Sequence, residues 1–414
     1  MTPGVRAPED NSGRQQGSEP VAADASRSNK PKHQRIIILM CDGFGSDYYA
    51  ASPMPTLKRW AAGGVLAQAK AVMPSVTNAN NTSICCGAWP ATHGIIGNSF
   101  LDEKTGAEEY MESADLLLAP TLFERAARHG VRSALLTSKK KTTALLGRGA
   151  EILLAAESPS ADWVARLGVA PPIYSREINY WLMRAAIQLL TTRPEIGVLY
   201  VHTTDYPMHM WPPAAKESQE HLAQLDALLA EAESAAPDAA FLVSADHGMN
   251  YKSRCWDLDK ALAARETPVR MAISAERDKY LRHHNGMGGT AWVHLRSLDD
   301  APRVTAVLRN LDGVEKVMTR TEAADALHLF PERIGDLVVL GDKDTVFGHL
   351  DVEMERMPPE FRTHGSLHEL DVPIVIHNAR SSPHAAYFRH NLDLARWLYP
   401  LEAAAGAERP AVPA

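Results

Sequence analysis

The sequence predicts an α/β fold built on a mostly parallel sheet. Continuous apolar runs recur, and each stops at an acidic residue. "RIIILMCDGFG" reaches Asp42, "IGVLYVHTTDY" reaches Asp205, and "AAFLVSADHGMN" reaches Asp246 and His247. Unbroken apolar runs are the mark of strands covered on both faces. Between them lie segments with apolar residues at helical spacing, "EINYWLMRAAIQLLTT" and "ESQEHLAQLDALLAEAES". Strands alternating with helices argue for parallel pairing. Ligands of such sheets bind beyond the carboxyl ends of the strands, so the acidic ends fall where chemistry is expected.

Taken in order, residues 1–34 are polar and short of large apolar side chains, which predicts a disordered tail. A catalytic core follows over residues 35–251. Within it "MPSVTNANN" reads as a loop, because Ser, Thr and Asn bond locally to backbone. "TLFERAARHG" reads as a helix ended by Gly130, leading into the strand "VRSALLTS". Over residues 252–360 the alternation fades. Short strands such as "TAWVHL" and "DLVVLG" and the helix "PRVTAVLRNL" predict an inserted α+β cap. The core resumes over residues 361–402 with the strand "VPIVIHN", and the Ala/Pro-rich residues 403–414 are expected to be loose.

A chain of 414 residues can bury a large core, and 45% hydrophobic with 22% charged residues is ordinary for a globular enzyme. Lys plus Arg is 43 against 50 for Asp plus Glu, a net charge of -7. That balance gives no reason to expect nucleic acid or an anionic membrane as partner. Cys41, Cys85, Cys86 and Cys255 form no C-x-x-C pair, so neither a disulfide framework nor a thiolate zinc site is expected. Reduced thiols fit a cytoplasmic location. The apolar run "IIILMC" is too short to span a bilayer or to serve as a signal-peptide core. A small molecule is the expected partner, with homodimerisation left open.

The residues with ligand chemistry gather at these strand ends. Asp205 and His209 are spaced i, i+4 in "DYPMH", which puts them on one face of a helix whose first turn would have to hold Pro207. Asp246 and His247 are neighbours, and Gly248 lets the backbone turn after them. Asp42 and His364, the latter in "RTHGSLHE", complete the set. Imidazole and carboxylate suit zinc or another first-row divalent ion. "TSKKKTT" also begins at a strand end, and extended geometry would point Lys139 and Lys141 to one side.

The ordered series D-G-F, P-S-x-T-N-x-N-N, S/T-D-Y-x-x-H, A-D-H-G-M and a late T-H-G resembles the alkaline phosphatase superfamily. It is similar to the nucleotide pyrophosphatase/phosphodiesterase-like branch over roughly residues 35–250 and 360–400. Within that branch "PSVTNANNTSICCGAWPATHGIIGN" resembles the pattern of the phosphonoacetate hydrolases. The resemblance implies an alkaline-phosphatase-like, three-layer α/β/α core, Thr77 as nucleophile and two zinc ions per chain. It implies that Asp205, His209 and His364 hold one zinc. Asp42, Asp246 and His247 would hold the other, with Thr77 Oγ as its fourth ligand. By the same resemblance Asn98 in "HGIIGN" contacts phosphoryl oxygens, and Lys139 and Lys141 bind the substrate carboxylate. The implied reaction cleaves the P–C bond of phosphonoacetate to acetate and phosphate through a phosphothreonine. The alternatives are a nucleotide pyrophosphatase/phosphodiesterase with the same metals and threonine, and, further off, a non-catalytic metal- or phosphonate-binding protein. His283, His284 and Trp292 in the cap are read as structural.

Overall fold

The computed structural model describes Met1 and residues 33–278 and 285–399. The expected tail lies almost wholly outside the described residues, as do His283, His284 and residues 403–414. The apolar runs become a seven-stranded sheet: β1 (Ile36–Met40), β2 (Val65–Lys70), β3 (Arg132–Thr137), β4 (Ile152–Ala155), β5 (Ile196–His202), β6 (Ala240–Ser244) and β7 (Asp371–His377). Their spatial order is β2-β7-β6-β1-β5-β3-β4. The pairs among β6, β1, β5, β3 and β4 are parallel, and β7 alone runs against its neighbours β6 and β2.

The sheet is covered on both faces, as its unbroken apolar strands require. On one face Ile37, Leu39 and Val243 pack against helices Glu177–Thr192 and Lys216–Ala235. Tyr200, which points the other way, sets its ring 6.2 Å from Phe123 of helix Leu122–Arg128 and bonds Asn81 of helix Thr77–Cys86. The α/β/α layering follows from this alternation along single strands.

The segment beginning at Thr77 differs from the expected loop. Thr77–Cys86 is an α-helix and all ten residues are buried. A helix buried on every side needs no amphipathic stripe, so no 3.6-residue period marks it. Its asparagines, poor helix formers in water, are anchored instead. Asn80 Oδ1 accepts from Val72 N at 2.8 Å and its Nδ2 donates to the carbonyls of Val72, Pro74 and Val76. Asn78 donates to the Met111 carbonyl at 3.0 Å, and Asn81 to that of Thr77 at 3.1 Å.

Residues 254–356 build smaller sheets. One is antiparallel, with strands Met271–Ser274, Thr290–His294, Leu337–Gly341 and Val314–Thr319 in spatial order. Its period of two divides it cleanly. Ile273, Trp292 and Val338 join the main core, whereas Ala272, Val293 and Val339 pack with Val304 and Leu308 of helix Ala301–Arg309 in a separate core. Trp292 is fully buried, which fits a packing role.

Candidate active site

Strand register assembles the site. Met40 pairs with His202 on one side and Ser244 on the other, and His202 pairs in turn with Thr137. Four parallel strands therefore end level. Two residues beyond three of these ends stand Asp42, Asp246 and Lys139, and three beyond the fourth stands Asp205. His209 follows on the short helix Tyr206–Met210, with Pro207 in its first turn. His364 arrives from the other end of the chain. The pair Arg362–Thr363 ladders against Asn250–Tyr251, just past Asp246 and His247. Two glycines make the turns possible. Gly43 has φ +73°, and its N–H donates to Asp246 Oδ1 at 3.0 Å. Gly365 has φ +102°, and a Cβ there would stand 2.8 Å from Gly289 N.

The three histidines are oriented alike. His209 Nδ1 lies 2.7 Å from the Arg362 carbonyl, His247 Nδ1 2.9 Å from that of Gly248, and His364 Nδ1 2.8 Å from that of Ser75. A carbonyl only accepts, so each Nδ1 carries the proton and donates. That leaves each Nε2 as the ring nitrogen turned to the carboxylates, the one free to ligate a metal placed between them. His209 Nε2 is 2.9 Å from Asp205 Oδ2, and His364 Nε2 is 3.7 Å from the same oxygen. His247 Nε2 is 3.6 Å from Asp42 Oδ1 and 3.5 Å from Asp246 Oδ2. Thr77 Oγ1 is 3.4 Å from His247 Nε2. All seven sequence-predicted ligands converge here and all are buried.

Charge points the same way. Asp42, Asp205 and Asp246 crowd together, and Lys139 Nζ sits 3.4 Å from Asp42 and 3.3 Å from Asp205. Burial and the neighbouring Asp205 push the Asp42 carboxyl up, but Lys139 and His202 outweigh them and hold it at about 2. Burial and then Asp42 drive the Asp246 carboxyl well above the usual range. Burial depresses the His247 imidazole to about 3, with His364 stacked on it at 3.6 Å adding to the effect. Three carboxylates crowded in a buried site are short of positive charge, and divalent cations would supply it. Two sets of groups have ligand atoms mutually within 4.8 Å: Asp205, His247 and His364, and Asp42, His202 and Asp246. The donor set fits metal. A third set among the described residues, Asp257, Asp259 and His349, lies at the start of helix Leu258–Ala263 and in a nearby loop, where Asp257 already accepts from Lys260 N, Lys260 Nζ and Leu350 N.

The remaining predicted residues also lie here. The lysine run is not extended as expected: β3 stops at Thr137 and a helix starts at Lys140. Lys139 and Lys141 are nevertheless buried and Lys140 exposed, because the bend and the first helical turn together direct the outer two inward. Lys139, Lys141, Tyr174 and Thr204 line a cleft of about 450 Å³. Asn98 is 1% exposed, and its Nδ2 donates to the Glu276 carbonyl at 3.3 Å.

Two residues went unread in the sequence. His202 Nε2 lies 3.1 Å from Asp42 Oδ2, with Nδ1 3.2 Å from Thr137 Oγ1. A histidine closing an otherwise apolar strand was the available signal. Glu276 lies 3.8 Å from His364 Nδ1, and burial pushes its carboxyl up to about 7. No local pattern marks it.

This fold and this site define a class. The chain belongs to the type I phosphodiesterase / nucleotide pyrophosphatase family, whose model matches residues 36–366. More particularly, it is similar to phosphonoacetate hydrolase from Sinorhizobium meliloti 1021, solved in complex with phosphonoacetate and with phosphonoformate. Identity is 29%, 90% of this chain and 96% of that chain are covered, and the TM-score is 0.80. The alkaline-phosphatase-like fold read from the motifs is thus the fold observed. Murine ectonucleotide pyrophosphatase / phosphodiesterase 5 shares it at 16% identity over the same shares of the chains, with a TM-score of 0.67. Bis(5'-adenosyl)-triphosphatase enpp4 of Xenopus laevis is 35% identical over 83 residues, 20% of this chain and 18% of that protein. An uncharacterised pyrophosphatase/phosphodiesterase of Schizosaccharomyces pombe is 31% identical over 107 residues, 24% of this chain and 22% of that protein. The chain thus aligns with about a fifth of these curated relatives. Among the described residues no helix is long and apolar enough to cross a membrane.

Proposed function

We propose that this enzyme hydrolyses the carbon–phosphorus bond of phosphonoacetate to acetate and phosphate. The observation that carries the reading is the pair Lys139 and Lys141, two buried ammonium groups lining one cleft beside the carboxylate–histidine cluster. The likeness to phosphonoacetate hydrolase at 29% identity supports it.

Asp205, His209 and His364 would hold one zinc ion, and Asp42, Asp246 and His247 the other, beside Thr77. Bound there, the ions would lower the pKa of the threonine hydroxyl and offset charge on the phosphoryl oxygens. Thr77 opens its helix, so the backbone N–H groups of that first turn, with the Asn98 amide, would receive the phosphoryl oxygens. The Thr77 O–P bond forms as the C–P bond breaks. The electron pair passes to carbon and delocalises into the adjacent carboxylate as an enediolate. Lys139 and Lys141 stabilise that charge as it develops, and a proton from water completes acetate. Water then attacks the phosphothreonine, returning the Thr77 hydroxyl and releasing phosphate.

The test is phosphate and acetate release by zinc-loaded protein from phosphonoacetate, beside cleavage of bis-p-nitrophenyl phosphate. Faster turnover of phosphonoacetate with equal acetate and phosphate supports the reading. Cleavage of the diester alone supports a nucleotide pyrophosphatase/phosphodiesterase instead, the reading that the family match and the local likeness to a bis(5'-adenosyl)-triphosphatase favour.

A further inference from the structure

Strand Met271–Ser274 runs into a loop, residues 275–278, that descends onto the site. Its fit to the core is close. The Ala275 carbonyl accepts from Asn98 N at 2.8 Å, and a Cβ on Gly97 would stand 2.7 Å from that oxygen. Two carboxylates, two residues apart, then enter the site from this loop. Glu276 faces His364 at 3.8 Å. Asp278 pairs with Lys141 Nζ, and the two side chains are 2% and 6% exposed. The partners are 137 residues apart in the chain.

We infer that Asp278 is a positioning residue, fixing the Lys141 ammonium at the cleft and thereby setting the preference for a phosphonate that bears a carboxylate. The inference rests on the function proposed above. An ammonium offers three protons and accepts none, so one bond to Asp278 leaves donors for a ligand in the same cleft. A lysine stem ordered before the ligand arrives does not charge its rotamer entropy to binding. Asp278 also offsets positive charge at Lys141, so this ammonium recognises a carboxylate by directed N–H bonds as well as by charge.

The experiment measures kcat and KM for phosphonoacetate and for bis-p-nitrophenyl phosphate in the zinc-loaded wild type, Asp278→Asn, Lys141→Met and their double variant. Asp278→Asn is expected to raise KM for phosphonoacetate about tenfold, with kcat changed less than about threefold. The ratio of kcat/KM between the two substrates falls with it, and the double variant is no worse than Lys141→Met alone. Equal loss on both substrates, additive losses in the double variant, or an unchanged KM overturns the assignment. If Asp278→Asn does not fold, Lys141→Met/Asp278→Leu replaces the pair by apolar groups of similar volume. Parity of that protein with Lys141→Met supports the assignment, and a further drop in the substrate ratio overturns it. A wild type that cleaves only the diester overturns the proposed function and this inference with it. An active wild type whose Asp278→Asn variant keeps its KM overturns the assignment alone.

Discussion

At Thr77 the hydroxyl is held in place by what its neighbours do with their amides. Asn78, Asn80 and Asn81 bond the main chain around it, so the side chain starts from a fixed helical turn. Thr77→Ala is expected to cut hydrolysis at least about a thousandfold while bound metal, read by elemental analysis, is retained. Full activity in that variant would remove Thr77 from the chemistry. Lys139→Met is expected to lower kcat/KM for phosphonoacetate by about a hundredfold, since it removes an ammonium from beside the developing charge. A pH effect belongs to His93. Ile95 N–H donates to its Nδ1 at 3.1 Å, so Nε2 carries the proton and donates to Ser83 Oγ at 2.8 Å. Burial, with Arg333 adding to it, lowers this imidazole from 6.5 to about 3. The folded state thus binds its proton later than the unfolded chain does. The stability this gives is complete above pH 6.5 and is lost as pH falls towards 3. By about pH 4.5 the loss is about 2–3 kcal/mol, and His93→Gln should flatten that part of a Tm-against-pH curve.

At the scale of elements, what was legible depended on whether a segment's own chemistry decides its form. The apolar strands and the two long helices could be read, because burial on both faces or on one stripe leaves a pattern in the sequence. The helix beginning at Thr77 could not. Its side chains are buried all round, and its Asn and Thr residues favour turns until distant groups accept their bonds. Asn80 is the clearest example, with partners at Val72, Pro74, Val76 and Asn391. Asn80→Ala should destabilise the protein by about 2–4 kcal/mol in denaturant titrations, because buried backbone groups lose their partners. Asp42, Asp205 and Asp246 were legible as strand ends. His202 left one local sign, an imidazole closing an apolar strand, but its place in the site came from the register with Thr137, and Glu276 needed the docking of a loop from another sheet.

For the whole molecule, three crowded carboxylates would make a bound metal part of stability. Chelation is expected to lower Tm as well as to abolish turnover, and zinc to restore both, with two ions per chain by elemental analysis. A Tm unmoved by chelation would argue that Lys139 is enough to hold the carboxylates together. The level ending of β1, β3, β5 and β6 has a consequence for rebuilding the protein. All the chemistry hangs from one rim, so the opposite rim is editable. The turn at Pro237–Asp238, exposed before β6, should accept a short inserted peptide or a fused domain with turnover preserved. The same graft after Ser138, on the other rim, would pull Lys139 out of line. This enzyme can therefore be tethered or tagged from inside its chain, by a handle on the side its substrate never meets.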